Sequence, residues 1–458
     1  MTVTDLSNKS GNDRIRISPY LSSHSYQCEN TDNDRCLKDN YNQPTDHLPS
    51  TITNLTFGSD YNQPTDHLPS SITTLTFGSD YNQPTDHLPS SITKLTFGYD
   101  YNQTTDYLPS SITNLTFGND YNQPADHLPS SITRLKFGWK YNQSTDHLPL
   151  CVDHLTFGYN YNQPTDHLPS TITNVVFGNN YDQSIDHLPS SVNNLTFGTQ
   201  YNQPIDHLPL SIASLIFTSD SNYNRPIDHL PSSITELSFG GAYNQVTDHL
   251  RSSITELSFG WTYNQVTDHL PPSVEDLTFN YYYNQPTDHL PSNIIHLSFG
   301  YHYNQPTDYL PPNIKYLIFG SHYNHPTDYL PSSITKLMYG YDYNHISDHL
   351  PPYVVSLIFN VRYNQPTLHL PSSIIKLSFA WTYGQQIIFP SSITSINMDG
   401  NVDQYIQQLL MNHNIIQSSI KNPLIVHHVS KNKHNLMFKQ QTLLDCSLWD
   451  KYEILSSK

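Results

Sequence analysis

The chain has 458 residues and a formal net charge of -18, and the excess acid sits in residues 41–400, where ten basic side chains face twenty-nine acidic ones. A surface of that sign repels phosphate backbones and argues against nucleic acid as a partner, and no run of about eighteen apolar residues argues for a membrane span. Four scattered cysteines (Cys28, Cys36, Cys151, Cys446) supply neither a disulfide framework nor a CxxC metal or redox pair.

Residues 1–40 are polar, with Ile15, Ile17, Tyr20 and Leu21 as their one apolar cluster. They are expected to form a partly disordered tail ending in a short cap. The first thirty residues lack the apolar run of a secretory signal. Together with the sparse cysteines, this points to a reducing intracellular compartment, the cytoplasm.

From Tyr41 to Gly400 the chain repeats one twenty-residue unit, seen in YNQPTDHLPSSITKLTFGYD at Tyr81–Asp100. Copies begin every twenty residues from Tyr41 to Tyr201, slip by two at Ser221-Asn222, and resume from Tyr223 to Tyr383, making eighteen units. So short a unit cannot bury its own apolar side chains. It must stack on its neighbours, which predicts an elongated solenoid of about 18 coils. Leu95 and Phe97 share one face at a period of two, with Ile92 entering the same interior just before, so I-x-x-L-x-F predicts a short strand. Gly98 is expected to bend the chain after it with a positive φ. In Tyr-Asn-Gln-Pro the ring is expected in the core and the Asn amide in a ladder satisfying backbone groups of the next coil. Pro84 and Leu88-Pro89 exclude an ordinary helix, leaving the back of the coil extended. Parallel stacking at ~4.8 Å per coil gives a length of roughly 85 Å, bent into an arc by the crowded strands.

Asp stands at the sixth position in sixteen units and His at the seventh in fourteen, His47, His87 and His289 among them. Imidazole and carboxylate both bind divalent ions, yet adjacent extended residues point to opposite sides, and Tyr107, Tyr309 and Tyr329 replace His, as a structural ladder permits. No metal site is assigned to these columns. Protonation of the histidine rows is expected to loosen the array or make it self-associate between about pH 5.5 and 6.5. There is no Gly-x-Ser-x-Gly elbow, phosphate-cradling glycine loop or Cys–His nucleophile, so neither a catalytic residue nor a cofactor is assigned.

The repeats differ most at positions fourteen and nineteen, which are expected to flank or occupy the exposed concave face. The charged column there includes Arg134, Glu236, Glu256 and Asp276, and the aromatic column holds Tyr99, Trp139, Tyr159, Trp261, Tyr281, Tyr301, Tyr341 and Trp381. Exposed rings beside variable charges are the residue types of binding hot spots, so these twelve side chains are the candidate protein-binding face.

Residues 401–458 are expected to form the C-terminal cap. A helix starting at Asn401-Val402-Asp403 would bury Val402, Ile406, Leu409 and Leu410, and Pro423–Val426 and Leu443-Leu444 would add a strand or a second helix.

The units YNQPTDHLPSSITxLTFG and YNQPIDHLPLSI resemble FNIP repeats, a leucine-rich-repeat-like module of social amoebae and of giant viruses that infect amoebae. The resemblance covers residues 41–400, and the Leu-Pro-x-Ser-Ile-x-x-Leu-x-Phe core is also similar to short bacterial leucine-rich repeats. It implies a mainly β solenoid with a parallel sheet on its concave face, used for protein binding, with no catalytic residues to transfer. A viral chain of this kind would act in the host cytoplasm. In some viral members an N-terminal F-box implies a ubiquitin-ligase substrate receptor, but residues 1–40 lack the Leu-Pro-led, apolar three-helix sequence that role requires. The expected function is a non-enzymatic scaffold for protein–protein interaction, with a structural, particle-associated solenoid and the ligase receptor as alternatives. Neither the partner nor the oligomeric state is specified by the sequence.

Overall fold

The structure is a computed structural model, and it describes residues 34–380, 383–385, 388–399 and 425–429. One short strand recurs per coil: β1 (Asp34–Cys36), β2 (Asn54–Thr56), β3 (Thr74–Thr76), β4 (Lys94–Thr96), β5 (Asn114–Thr116), β6 (Arg134–Lys136), β7 (His154–Thr156), β8 (Asn174–Val176), β9 (Asn194–Phe197) and β10 (Ser214–Phe217). The second half continues with β11 (Glu236–Ser238), β12 (Glu256–Ser258), β13 (Asp276–Thr278), β14 (His296–Ser298), β15 (Tyr316–Ile318), β16 (Lys336–Met338), β17 (Ser356–Ile358), β18 (Lys376–Ala380), β19 (Ser395–Asp399) and β20 (Ile425–Val429). Each strand pairs in parallel with the next, so that Leu75, Leu95 and Leu115 lie side by side. At β10 and β11 the register steps from Leu215 to Leu237, and the two extra residues are taken up in the turn, where Ser221 is buried.

The interior is a set of columns running through the whole stack. Tyr81, Leu88, Ile92, Leu95 and Phe97 of one unit are all buried, and their equivalents are buried from coil to coil. Phe97 stacks on Tyr101, which follows it in the chain, at 3.7 Å between ring centroids. Successive phenylalanines lie 5.7 Å apart at Phe97 and Phe117, and successive tyrosines 6.1 Å apart at Tyr81 and Tyr101. Parallel strands are only ~4.8 Å apart. The coils therefore spread away from the sheet, which places the strands on the concave side.

Polar ladders satisfy the backbone that three-residue strands leave unpaired. The N–H of Asn82 donates to Oδ1 of Asn62 at 3.0 Å, and Gln83 Nε2 donates to the same oxygen at 3.0 Å. This is the expected asparagine ladder, and it recurs along the stack as far as Gly384, whose N–H reaches Asn364. Ser91 Oγ donates to the carbonyl of Ile72 at 2.6 Å. Thr85, buried at a position that apolar periodicity passes over, shares a hydrogen bond of 3.1 Å with the hydroxyl of Tyr101.

Two expectations need correction, and a third lies outside the described residues. Gly98 does not adopt a positive φ; a Cβ there would lie 1.7 Å from the carbonyl oxygen of Gly78, so glycine is required by the close approach of consecutive backbones. No helix occurs among the described residues, the helix expected from Asn401 lies outside them, and Ile425–Val429 forms a strand paired with β19. Cys36 is disulfide-bonded, although the cysteine spacing gave no sign of pairing. At the N-terminal end of the described residues, one further strand, β1, precedes the first unit and lies in register with β2.

Candidate functional site

A strand that buries its central Leu must turn its first and third residues outward, and these make the concave face. Its charges are segregated along the arc. Lys94, Arg134 and Lys136 are exposed on β4 and β6, Glu236, Glu256 and Asp276 lie on the adjacent strands β11, β12 and β13, and Lys336 and Lys376 follow on β16 and β18. The three carboxylates stand in register. The hydroxyl of Ser214 donates to Glu236 at 2.6 Å, and His296 Nδ1 bonds to Asp276. Between them Glu256 has no side-chain hydrogen bond or ion pair among the described residues, and its carboxyl is pushed above the usual range by partial burial first and then by Glu236 and Asp276. Further along, Lys336 lies over the ring of Tyr316, 4.7 Å from its centroid.

The aromatic column is separate from this face. Position nineteen lies in the turn that follows each strand, with its carbonyl taking the N–H of position twenty of the next coil, as at Tyr99 and Asp120 (2.8 Å). The rings therefore form a rim and do not occupy the sheet surface, as one alternative of the sequence reading had it. Tyr99 is 52% exposed and Trp139 50%, whereas Tyr281, Tyr301 and Tyr341 are half-buried. Trp139 stacks on Tyr159 at 4.4 Å and Tyr281 on Tyr301 at 4.9 Å, while Trp261 packs over Gly241. Tyr341 lies under the guanidinium of Arg362, which also pairs with Asp342 at 3.0 Å. Trp381 lies outside the described residues. Sequence reasoning missed the charged and aromatic neighbours that complete these clusters, His296, Tyr316, Tyr282, His302 and His322. The signal for the last three was the run of aromatic residues at position twenty.

The Asp and His columns stand elsewhere, on an exposed turn, and the partners come from different coils. His167 Nδ1 meets Asp146 of the preceding coil at 3.2 Å, and His207 meets Asp186 at 3.3 Å. The Asp146 carboxyl is held below its usual range by the Ser144 hydroxyl first and by His167 after it.

A family model described as the FNIP repeat matches the chain in overlapping pairs of units across residues 41–242 and again across 266–342. The chain belongs to the FNIP repeat family. This FNIP solenoid is also similar to CroV588, a protein of a giant virus whose crystal structure is described as a novel circular leucine-rich-repeat (LRR) protein, at 34% identity and a TM-score of 0.73. The match covers 87% of this chain and 63% of CroV588, so the FNIP chain spans less than two thirds of that protein's length. YopM from Yersinia enterocolitica matches at 18% identity over 80% of this chain and 91% of its own, with a TM-score of 0.41. InlJ from Listeria monocytogenes matches at 10% over 70% of each chain, with a TM-score of 0.38. No curated protein matches the chain. The fold is a mainly β, parallel solenoid of the leucine-rich-repeat type, a type that usually serves as a scaffold without catalysis. Among the described residues no helix is long and apolar enough to cross a membrane.

Proposed function

We propose that this FNIP protein is a non-enzymatic scaffold that holds a protein partner on its concave, strand-lined face. One observation carries the reading: Glu236, Glu256 and Asp276 are stacked in register on adjacent strands with no side-chain hydrogen bond or ion pair to Glu256. Like charges directly opposite one another destabilise a sheet by a few tenths of a kcal/mol or more per pair. A fold built on its interior columns has no need of them, and a basic partner segment would turn that cost into attraction. The rim rings Trp139, Tyr159, Tyr281 and Tyr301 offer apolar anchors along the same arc.

The test is affinity purification from native cells with the wild-type chain, a concave variant (Glu236→Gln, Glu256→Gln, Asp276→Asn) and an outer-turn variant (His167→Ala, His207→Ala). A discrete partner retained by wild type and the outer-turn variant but lost by the concave variant supports the reading. Equal retention by all three removes the face. Recovery of ligase subunits or of the chain alone would favour the adaptor or the structural role instead.

A further inference from the structure

On the rim, consecutive coils bring two imidazoles together at position twenty. His302 and His322 approach with their Nδ1 atoms 3.2 Å apart, ring centroids 4.7 Å apart and ring planes at 83°. Both side chains are half-buried, and both backbones are fixed by the coil stacking: the N–H of His302 donates to the carbonyl of Tyr281 and that of His322 to the carbonyl of Tyr301, each at 2.9 Å. Their rings are packed as well. Tyr282 stacks on His302 at 5.2 Å, Tyr281 meets its edge at 4.9 Å, and Tyr301 lies 4.6 Å from His322.

Two nitrogens bound ~2.0–2.1 Å from one ion at a near-tetrahedral angle are themselves about 3.3 Å apart. The pair is already held at that separation by tyrosines and backbone, so little side-chain freedom is left to lose on chelation. We infer that His302 and His322 form a two-imidazole site for a late divalent transition ion of the Zn²⁺, Ni²⁺ or Cu²⁺ class, bound through both Nδ1 atoms. Among the described residues no cluster of three or more ligand side chains exists, so water fills the remaining coordination positions. In the metal-free protein one Nδ1–H donates to the other Nδ1. On binding, that proton moves to Nε2 of its own ring, and both Nδ1 lone pairs go to the ion. The site is distinct from the outer Asp–His columns, where each imidazole meets one exposed carboxylate of a single neighbouring coil.

The experiment is calorimetric titration of the full chain with Zn²⁺ at neutral pH, repeated on His302→Ala, His322→Ala, the double variant and His167→Ala. All variants are first checked by circular dichroism melts for an intact fold. One strongest site per chain is expected in the wild type and in His167→Ala. Each single rim variant should weaken that site at least tenfold, and the double variant should lose no more than either single one, because a chelate fails when either arm is removed. ¹⁵N spectra of the imidazoles should show Zn²⁺ on Nδ1 in the wild type. If His302→Ala and His322→Ala leave the strongest site unchanged, or if their losses simply add, Zn²⁺ binds adventitiously over the surface histidines only and the assignment is overturned.

Discussion

At the scale of single residues, the unit shows how a repeat tolerates change in some places and not in others. Each core tyrosine carries a hydroxyl into the interior, and in most coils a threonine of the preceding coil answers it, as where Thr267 and Tyr283 share a bond of 2.8 Å. Where that threonine is Ile205 or Ile227, the hydroxyls of Tyr223 and Tyr243 are buried without a partner. Deleting a paired hydroxyl costs about 1 kcal/mol, whereas deleting an orphaned one relieves a desolvation penalty. Tyr283→Phe should therefore lower the melting temperature, and Tyr243→Phe should leave it unchanged or raise it. Equal losses in paired thermal melts would contradict the assignment of these bonds. The glycine column makes a second case. A Cβ at Gly98 would collide with the carbonyl of Gly78, yet Asn280 and Ala380 occupy equivalent positions, so neighbouring coils can part to admit a side chain. Gly98→Ala is expected to destabilise by about 1–3 kcal/mol through overpacking, read from denaturant midpoints. The need for glycine was legible in the sequence but its reason was not, because a clash between residues twenty apart leaves no local trace.

At the scale of the strand, the period-two spacing of Leu and Phe was enough to place each strand within a residue or so, since one buried column sets the register for all of them. What outward residues do depends on the neighbouring coil, and a single unit cannot reveal it. Glu256 illustrates this: the repeat alignment puts Glu236 and Asp276 beside it, but only the structure shows that Ser214 and His296 engage those two and leave Glu256 between them. Its folded-state pKa is raised, so the charged form is the one that folding disfavours. The penalty is present above that pKa and disappears as pH falls through it. Glu256→Gln should consequently raise the melting temperature slightly at neutral pH, by a few tenths of a kcal/mol in free energy, and the gain should fade toward about pH 4 as the wild-type carboxyl takes up its proton. A gain of the same size at both pH values would mean that something other than charge is responsible. The rim rings were legible as exposed aromatics, but their pairing, Trp139 on Tyr159 and Tyr281 on Tyr301, came from coil-to-coil geometry that residue type does not encode.

At the scale of the whole molecule, the stack acts through columns, and the tyrosine column has the strongest consequence for pH. From Tyr61 to Tyr383 the first residue of each coil is buried, and successive rings such as Tyr81, Tyr101 and Tyr121 turn by 6–8° relative to one another as the solenoid curves. Burial pushes the phenols of Tyr81, Tyr121 and Tyr263 up to about 12 and those of Tyr101, Tyr181 and Tyr303 further still. An unfolded tyrosine ionises near ~10. Since the folded pKa lies above the unfolded one, the stabilisation is complete below about pH 10 and is lost as pH rises through the interval to the folded value. Each buried ring costs up to ~1.4 kcal/mol per pH unit in that window. Many such rings acting together exhaust a typical stability of about 5–15 kcal/mol within roughly one pH unit. The solenoid should thus unfold abruptly just above about pH 10, with near-ultraviolet tyrosinate absorbance and far-ultraviolet circular dichroism changing together. A smooth tyrosine titration with the dichroism intact would show that the rings reach solvent while the coils remain stacked, and the continuous interior on which this architecture rests would have to be abandoned.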